Sequence, residues 1–122
     1  MRRFGRRTVR TRQAAQEHVV VRLSGEIIAA TAERVDKGLR NALRTDPRVL
    51  EVDLQRVTFM TSDGGRALLP ALLEARQYGT RVIVTHVGAQ ARGTLQRLGL
   101  SGMLDIHEGD APDYGGPGNR TS

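Results

Sequence analysis

Three short runs of β-branched and aliphatic residues recur along the chain, and segments with helical spacing separate them. The first run, His18 to Leu23, reads His-Val-Val-Val-Arg-Leu. In the second, Val49 to Leu54, Val52 and Leu54 alternate with Glu51 and Asp53. The third lies within Arg81 to Val87 and carries Val82, Ile83 and Val84. Each suits a strand that is at least half buried. Val35, Leu39, Ala42 and Leu43 then lie on one helical face between the first two runs. Leu68, Leu69, Leu72, Leu73 and Ala75 do so before the third run, and Ala91, Leu95 and Leu98 after it. Strands alternating with helices imply mainly parallel pairing through helical crossovers. The expected class is therefore α/β, in a layer too small for a full dinucleotide fold.

Turn-forming residues punctuate this pattern. Ser24-Gly25-Glu26 is expected to break the first run, leaving Ile27 and Ile28 as a short strand or a packed loop. Thr31 suits an N-cap, with Glu33 in the first turn where the helix dipole favours an acid. Asp46-Pro47 ends that helix, because the residue before proline avoids the α region. Val57 to Met60 carries the second run toward another break at Thr61-Ser62-Asp63-Gly64-Gly65. Gly79 and Gly99 suit the position just past a helix end. Leu104-Asp105-Ile106 reads as a final short strand. Pro70 conflicts with an uninterrupted helix over Ala67 to Tyr78, where it would cost about 3 kcal/mol. A late or distorted start resolves this better than a kink, because two glycines precede it.

At 122 residues the chain holds one domain. Its net charge of +6 is unevenly placed. Residues 1–12 contain Arg2, Arg3, Arg6, Arg7, Arg10 and Arg12 and no acid, whereas the charges of the remainder cancel. Residues 1–15 are read as a disordered basic arm, 16–108 as the folded domain and 109–122 as a flexible tail. The arm is either a solvated extension or an electrostatic contact for nucleic acid or an anionic surface. No apolar stretch follows Arg2-Arg3-Phe4, so export is not expected and a cytoplasmic location is. No run approaches the roughly 18 apolar residues of a membrane span. With 3% aromatics and no Trp, a base-stacking surface is disfavoured.

The absence of Cys excludes disulfides, thiolate metal sites and cysteine nucleophiles. His18, His86 and His107 are far apart, and no zinc-protease helix, nucleophile elbow, phosphate loop or dinucleotide fingerprint is present. An enzyme is not expected, nor a metal or cofactor. His86 reads as a surface or satisfied histidine, and Glu51 with Asp53 as a solvated strand end.

Chemistry concentrates at Val57-Thr58-Phe59-Met60-Thr61-Ser62-Asp63-Gly64-Gly65, where a buried strand meets a helix start. Two hydroxyls and a carboxylate lie where free backbone N–H groups favour an anion. Capping by Ser62 or Asp63 is the plain role, and a docking surface or phosphorylation switch built around the cap is the functional one.

These residues resemble a STAS domain, the family of sulfate-transporter cytoplasmic domains and bacterial anti-sigma factor antagonists. The resemblance covers roughly Val19 to Ile106. It rests on Leu23-Ser24-Gly25-Glu26 followed by Thr31-Ala32, and on Val52-Asp53-Leu54 followed by Val57-Thr58-Phe59-Met60. The turn Ser62-x-Gly64 and the stretch Leu95-Gln96-Arg97-Leu98-Gly99-Leu100 complete it. It implies a mixed four- to five-stranded sheet with helices mainly on one side. It also implies binding to an anti-sigma factor with a histidine-kinase-like ATPase fold, in a partner-switching pathway that regulates transcription. In such pathways the kinase phosphorylates a hydroxyl just before the turn glycine, and the phosphate blocks binding. The usual turn is Asp-Ser-Ser-Gly or Asp-Ser-Thr-Gly. Here Thr61 stands for the Asp, Ser62 for the first Ser and Asp63 for the phosphoacceptor; Gly64 is kept and Gly65 replaces a usual Leu. The regulatory hydroxyl is thus absent. Asp63 is a partial, permanent mimic, with one charge against the −1.5 to −2 or so of a phosphoserine. Ser62 is a candidate substitute phosphoacceptor, as is Thr61, though the shifted register would re-aim either hydroxyl. The expected partner-binding residues are Thr61, Ser62, Asp63, Gly64, Gly65 and Arg66, with Arg66 either pairing with Asp63 or facing the partner. The same resemblance admits a STAS subunit of another signalling or lipid-transport assembly.

Overall fold

The computed structural model describes residues 17–112. The basic arm at 1–15 and the tail from residue 113 lie outside the described residues. A strand β1 (His18–Ile27) leads through a 3-10 turn (Ala29–Thr31) into helix α1 (Ala32–Leu43). Strand β2 (Val49–Met60) runs into a single turn α2 (Ser62–Gly65), a 3-10 turn (Arg66–Leu68) and helix α3 (Leu69–Tyr78). Strand β3 (Arg81–Thr85), helix α4 (Ala89–Arg97), a 3-10 turn (Leu100–Gly102) and a two-residue β4 (Asp105–Ile106) follow. The sheet order is β1-β2-β3-β4. Every pairing among the described residues is parallel, as alternating strands and helices demand.

The first run is longer than its sequence suggests: Ser24-Gly25-Glu26 does not end β1, while β2 continues to Met60 as expected. Arg22 pairs with Asp53 but Ser24 with Arg56, and Gly25 pairs with Val57 but Glu26 with Phe59. Each step inserts one extra residue into β2, a bulge that leaves the pairing intact. Gly25 sits at φ 77°, which a glycine adopts without steric penalty. After the bulges the inward side chains Leu54, Val57 and Met60 fall three residues apart, which is why strict alternation fails there.

The apolar faces meet in one core. Val35, Leu39 and Leu43 of α1 and Ala71, Leu72 and Ala75 of α3 pack with Leu50, Val52, Leu54 and Val84 of the sheet. Pro70 falls in the first turn of α3, where its missing N–H breaks no helical bond. The late start expected from sequence is the one observed. Helix α1 ends at Leu43, and Asp46 turns the chain in the left-handed region, at φ 57°, before Pro47. Gly79 closes α3 at φ 76°.

Glu51, Asp53, Ile83 and Thr85 alternate with those core residues and so point to the opposite face. The two carboxylates are not a solvated strand end: Glu51 is 8% and Asp53 6% exposed. Burial is tolerated because every strand beside them supplies a partner. Glu51 accepts from the Thr85 hydroxyl at 2.7 Å and lies 2.9 Å from His18 Nε2. Asp53 accepts the Gln55 backbone N–H at 2.9 Å, meets His86 Nδ1 at 3.0 Å and faces Arg22 at 3.6 Å. No helix among the described residues is long and apolar enough to cross a membrane.

Candidate functional site

The turn after β2 is built from backbone constraints. Thr61 is the last extended residue, at φ −93° and ψ 166°. Its N–H donates to the Ile27 carbonyl at 3.0 Å, so the β1–β2 ladder extends one residue past Met60. Its hydroxyl accepts the Gly64 N–H at 3.0 Å, and its carbonyl accepts the Gly65 N–H at 2.8 Å. Thr61 is therefore the N-cap, a role worth about 1 kcal/mol. Ser62 and Asp63 do not fill it, because a capping residue must keep non-helical dihedrals and both already lie within α2.

Gly64 and Gly65 are buried and contribute shape rather than contact surface. A Cβ on Gly64 would sit 2.5 Å from the Ile28 nitrogen and closer still to the Ile27 carbonyl. Only glycine lets the turn pass so near the end of β1. A Cβ on Gly65 would lie 2.8 Å from Leu98 Cδ1 and 3.3 Å from Met60 Sδ. A side chain at residue 65 would therefore crowd Leu98 and Met60.

Asp63 and Arg66 are the exposed members. Their side chains are 70% and 61% accessible, and Arg66 Nη1 donates to Asp63 Oδ1 at 2.8 Å. Of the two orientations open to Arg66 from sequence, the structure has the pair with Asp63. An exposed pair of this kind contributes about 0.2–1 kcal/mol to stability, yet it offsets the charge of the carboxylate locally. Ser62 is half-buried beside them, and the aromatic ring of Phe59, two residues before the cap, is 44% exposed.

Helix α4 holds the turn in place through a residue that sequence reasoning missed. β3 ends at Thr85, so Met60 has no strand neighbour on that side. The Gln90 carboxamide fills the gap: Oε1 accepts the Met60 N–H at 2.8 Å and Nε2 donates to the Met60 carbonyl at 2.7 Å. The buried Thr94 hydroxyl adds a second donor to that carbonyl at 3.1 Å. A lone glutamine on the polar flank of a helix carries no periodic signal, so nothing in the sequence marked it. Thr31 makes a similar tie on the other side. Its hydroxyl donates to the Glu26 carbonyl at 2.8 Å and accepts the Ile28 N–H at 3.0 Å, fixing the chain that Gly64 presses against.

Among the described residues no group of three or more acidic or histidine side chains converges as a metal site. The three histidines stay apart: His18 pairs with Glu51, His86 with Asp53 and Asp110, and the buried Nε2 of His107 has no partner among the described residues.

Comparison with known proteins follows the same outline. The family model for the STAS domain matches residues 9–109. Among curated proteins none matches the chain. A sulfate transporter family protein from Wolinella succinogenes superposes with a TM-score of 0.66 at 21% identity, over 75% of this chain and 77% of that one. The anti-sigma factor antagonist SpoIIAA in its unphosphorylated form gives 0.63 at 23% identity, over 76% and 82%. The STAS domain of a SulP transporter from Vibrio cholerae gives 0.61 at 21% identity, over 76% and 74%. At these identities the superpositions speak for the fold. The family match spans most of the chain, and the chain belongs to the STAS domain family.

Proposed function

We propose that the chain is an anti-sigma factor antagonist-like interaction module, which binds an anti-sigma factor with serine kinase activity in a partner-switching pathway regulating transcription. The observation that carries this reading is the Asp63–Arg66 tip. A carboxylate stands at the position where the antagonists carry a phosphoacceptor, 70% exposed, on a turn held rigid by Thr61, Gly64 and Gln90. The protein acts as a ligand, not as an enzyme, and Thr61, Ser62, Asp63 and Arg66 meet the partner while Gly64 and Gly65 shape the turn.

The ion pair gives this reading a sign. A phosphate at the tip repels the partner through its charge of about −2. Asp63 carries one negative charge, and Arg66 lies 2.8 Å from it. The tip is thus nearly neutral, and the module is a constitutively binding form that the kinase cannot switch off at residue 63. Arg66→Ala unmasks the carboxylate and is expected to weaken partner binding about fivefold, near 1 kcal/mol. Isothermal titration with the purified partner reads this directly, and unchanged affinity contradicts the sign.

Phosphotransfer tests the reading itself. Incubated with its partner kinase and Mg-ATP, the natural chain is expected to take up no phosphate, whereas Asp63→Ser takes it up at residue 63 and loses affinity. Phosphate on Ser62 or Thr61 of the natural chain, with loss of binding, would mean that the switch persists at a neighbouring hydroxyl.

A second reading has its own support. Two of the superposed structures are, by name, a sulfate transporter family protein and a SulP transporter STAS domain. In a transport assembly the same turn would be a fixed subunit contact, independent of ATP and kinase.

A further inference from the structure

Beyond the turn that the proposed function uses, the far face of the sheet carries a histidine held between two carboxylates. His86 follows β3 and adopts φ 53°, a left-handed conformation uncommon outside glycine. Such a backbone persists where its surroundings over-determine it. Here His86 Nδ1 lies 3.0 Å from Asp53 Oδ1 and Nε2 lies 2.8 Å from Asp110 Oδ1. Ionised carboxylates only accept hydrogen bonds, so both ring nitrogens must donate, and only the imidazolium does that.

We propose that His86 is a pH-sensitive clasp, which fastens Asp110, at the end of the segment after β4, to the sheet and releases it when the ring loses a proton. Three backbone bonds give the clasp something to hold. The His107 N–H donates to the Val84 carbonyl at 2.9 Å, the Val87 N–H to the His107 carbonyl at 3.2 Å and the His86 N–H to the Gly109 carbonyl at 3.1 Å. The segment therefore lies along the end of β3 and is stitched down to Gly109.

The surroundings decide which contact opens. Asp53, on β2, is buried, also accepts the Gln55 N–H and faces Arg22 of β1 at 3.6 Å. Asp110 has a side chain that is 91% exposed. A neutral ring keeps its single proton on Nδ1 toward Asp53, because leaving a buried carboxylate without its donor is the costlier choice. The Nε2 lone pair then faces the Asp110 carboxylate, which swings into water. The other ionisable groups nearby do not share this fate. Glu108 pairs with Arg92 of α4 at 2.8 Å, and Glu51 is held by His18 and Thr85. His107 is the remaining titratable neighbour on the segment.

The direction of the switch follows from the ring's own titration. The hydrogen bond to Asp110 raises the His86 pKa from 6.5, and the bond and charge of Asp53 add to this against the opposing effect of burial. A raised folded-state value means that the stabilisation is complete below pH 6.5 and fades as pH rises through the higher folded value. The clasp is closed below pH 6.5 and opens as pH rises through the raised folded value.

Nitrogen relaxation of the full-length labelled chain across pH 5.5 to 8.5 tests this, with the His86 ring titration followed in the same samples. The Asp110 amide is expected to show an order parameter near 0.85 in acid, falling below about 0.6 as the ring deprotonates, while Gly109 stays ordered on its backbone bond to His86. Asp110→Asn, a change at an exposed side chain, is expected to lower the His86 titration point and leave residue 110 mobile at acid pH. His86→Gln is expected to remove the pH dependence. Order parameters that stay flat through the His86 titration overturn the proposal. So does an Asp110→Asn chain in which the titration point does not move, or a His86→Gln chain that keeps the pH response.

Discussion

Gly64→Ala is expected to be among the most damaging single-methyl changes in this chain, at about 3 kcal/mol or more. The added Cβ meets the Ile27 carbonyl and the Ile28 nitrogen, both backbone atoms of the β1 end. Those atoms cannot yield, because Ile27 receives the Thr61 N–H and Ile28 is fixed by the Thr31 hydroxyl. Relief requires the turn to leave its place beside β1, which breaks the extension of the ladder and tilts the Asp63 tip. For a domain of this size the loss corresponds to a fall in Tm of roughly 10–20 °C. Thermal unfolding followed by circular dichroism measures it. Gly65→Ala is the internal control: its Cβ meets the end of the Leu98 side chain, which can rotate away, so a cost near 1 kcal/mol is expected. Equal losses at both positions would show that the crowding at Ile27 is not what demands glycine.

Gln90→Ala is expected to cost about 2 kcal/mol while leaving the secondary structure intact. The substitution removes one acceptor and one donor from the buried Met60 peptide. Thr94 still serves the carbonyl, but the N–H has no other hydrogen-bond acceptor among the described residues. An orphaned backbone donor of this kind costs about 1–3 kcal/mol. Denaturant unfolding reads the loss, and amide exchange localises it: the Met60 and Thr61 amides should lose protection before those of Leu50 and Val52. A Gln90→Ala chain with wild-type stability would mean that water replaces the carboxamide without penalty, and that α4 does not position the turn.

Much of this architecture is legible in the residues. Alternating aliphatic runs and helical stripes gave the order of elements and the parallel sheet, and Pro70 together with its preceding glycines gave the late start of α3. The break at Ser24-Gly25-Glu26 was misread for a physical reason. These turn-forming residues lie opposite the bulges of β2, and a bulge disturbs the pattern without ending the pairing. Glu51 and Asp53 were misread for another. Arg22, His18, Thr85 and His86 become their neighbours only through the register of three strands, and a polar residue within a run looks the same whether its partner is water or a distant histidine. At the candidate site the family pattern located the turn, and Gly64 explains itself through Ile27. The cap is Thr61 rather than Ser62 or Asp63, because all three have equivalent capping chemistry and only the dihedrals choose among them. Gln90 and Leu98 act across the fold from α4, and no local pattern records such a contact.

Affinity capture from source-cell lysate, with the natural chain and Asp63→Ser as parallel baits, tests the partner-switching role most directly. Retention by the natural chain of a protein with the histidine-kinase-like ATPase fold, kept when Mg-ATP is added, is the expected result. Asp63→Ser should retain the same protein without ATP and release it with ATP. Transport-assembly subunits on both baits, with no such kinase and no effect of ATP, would contradict partner switching and make the turn a fixed subunit contact.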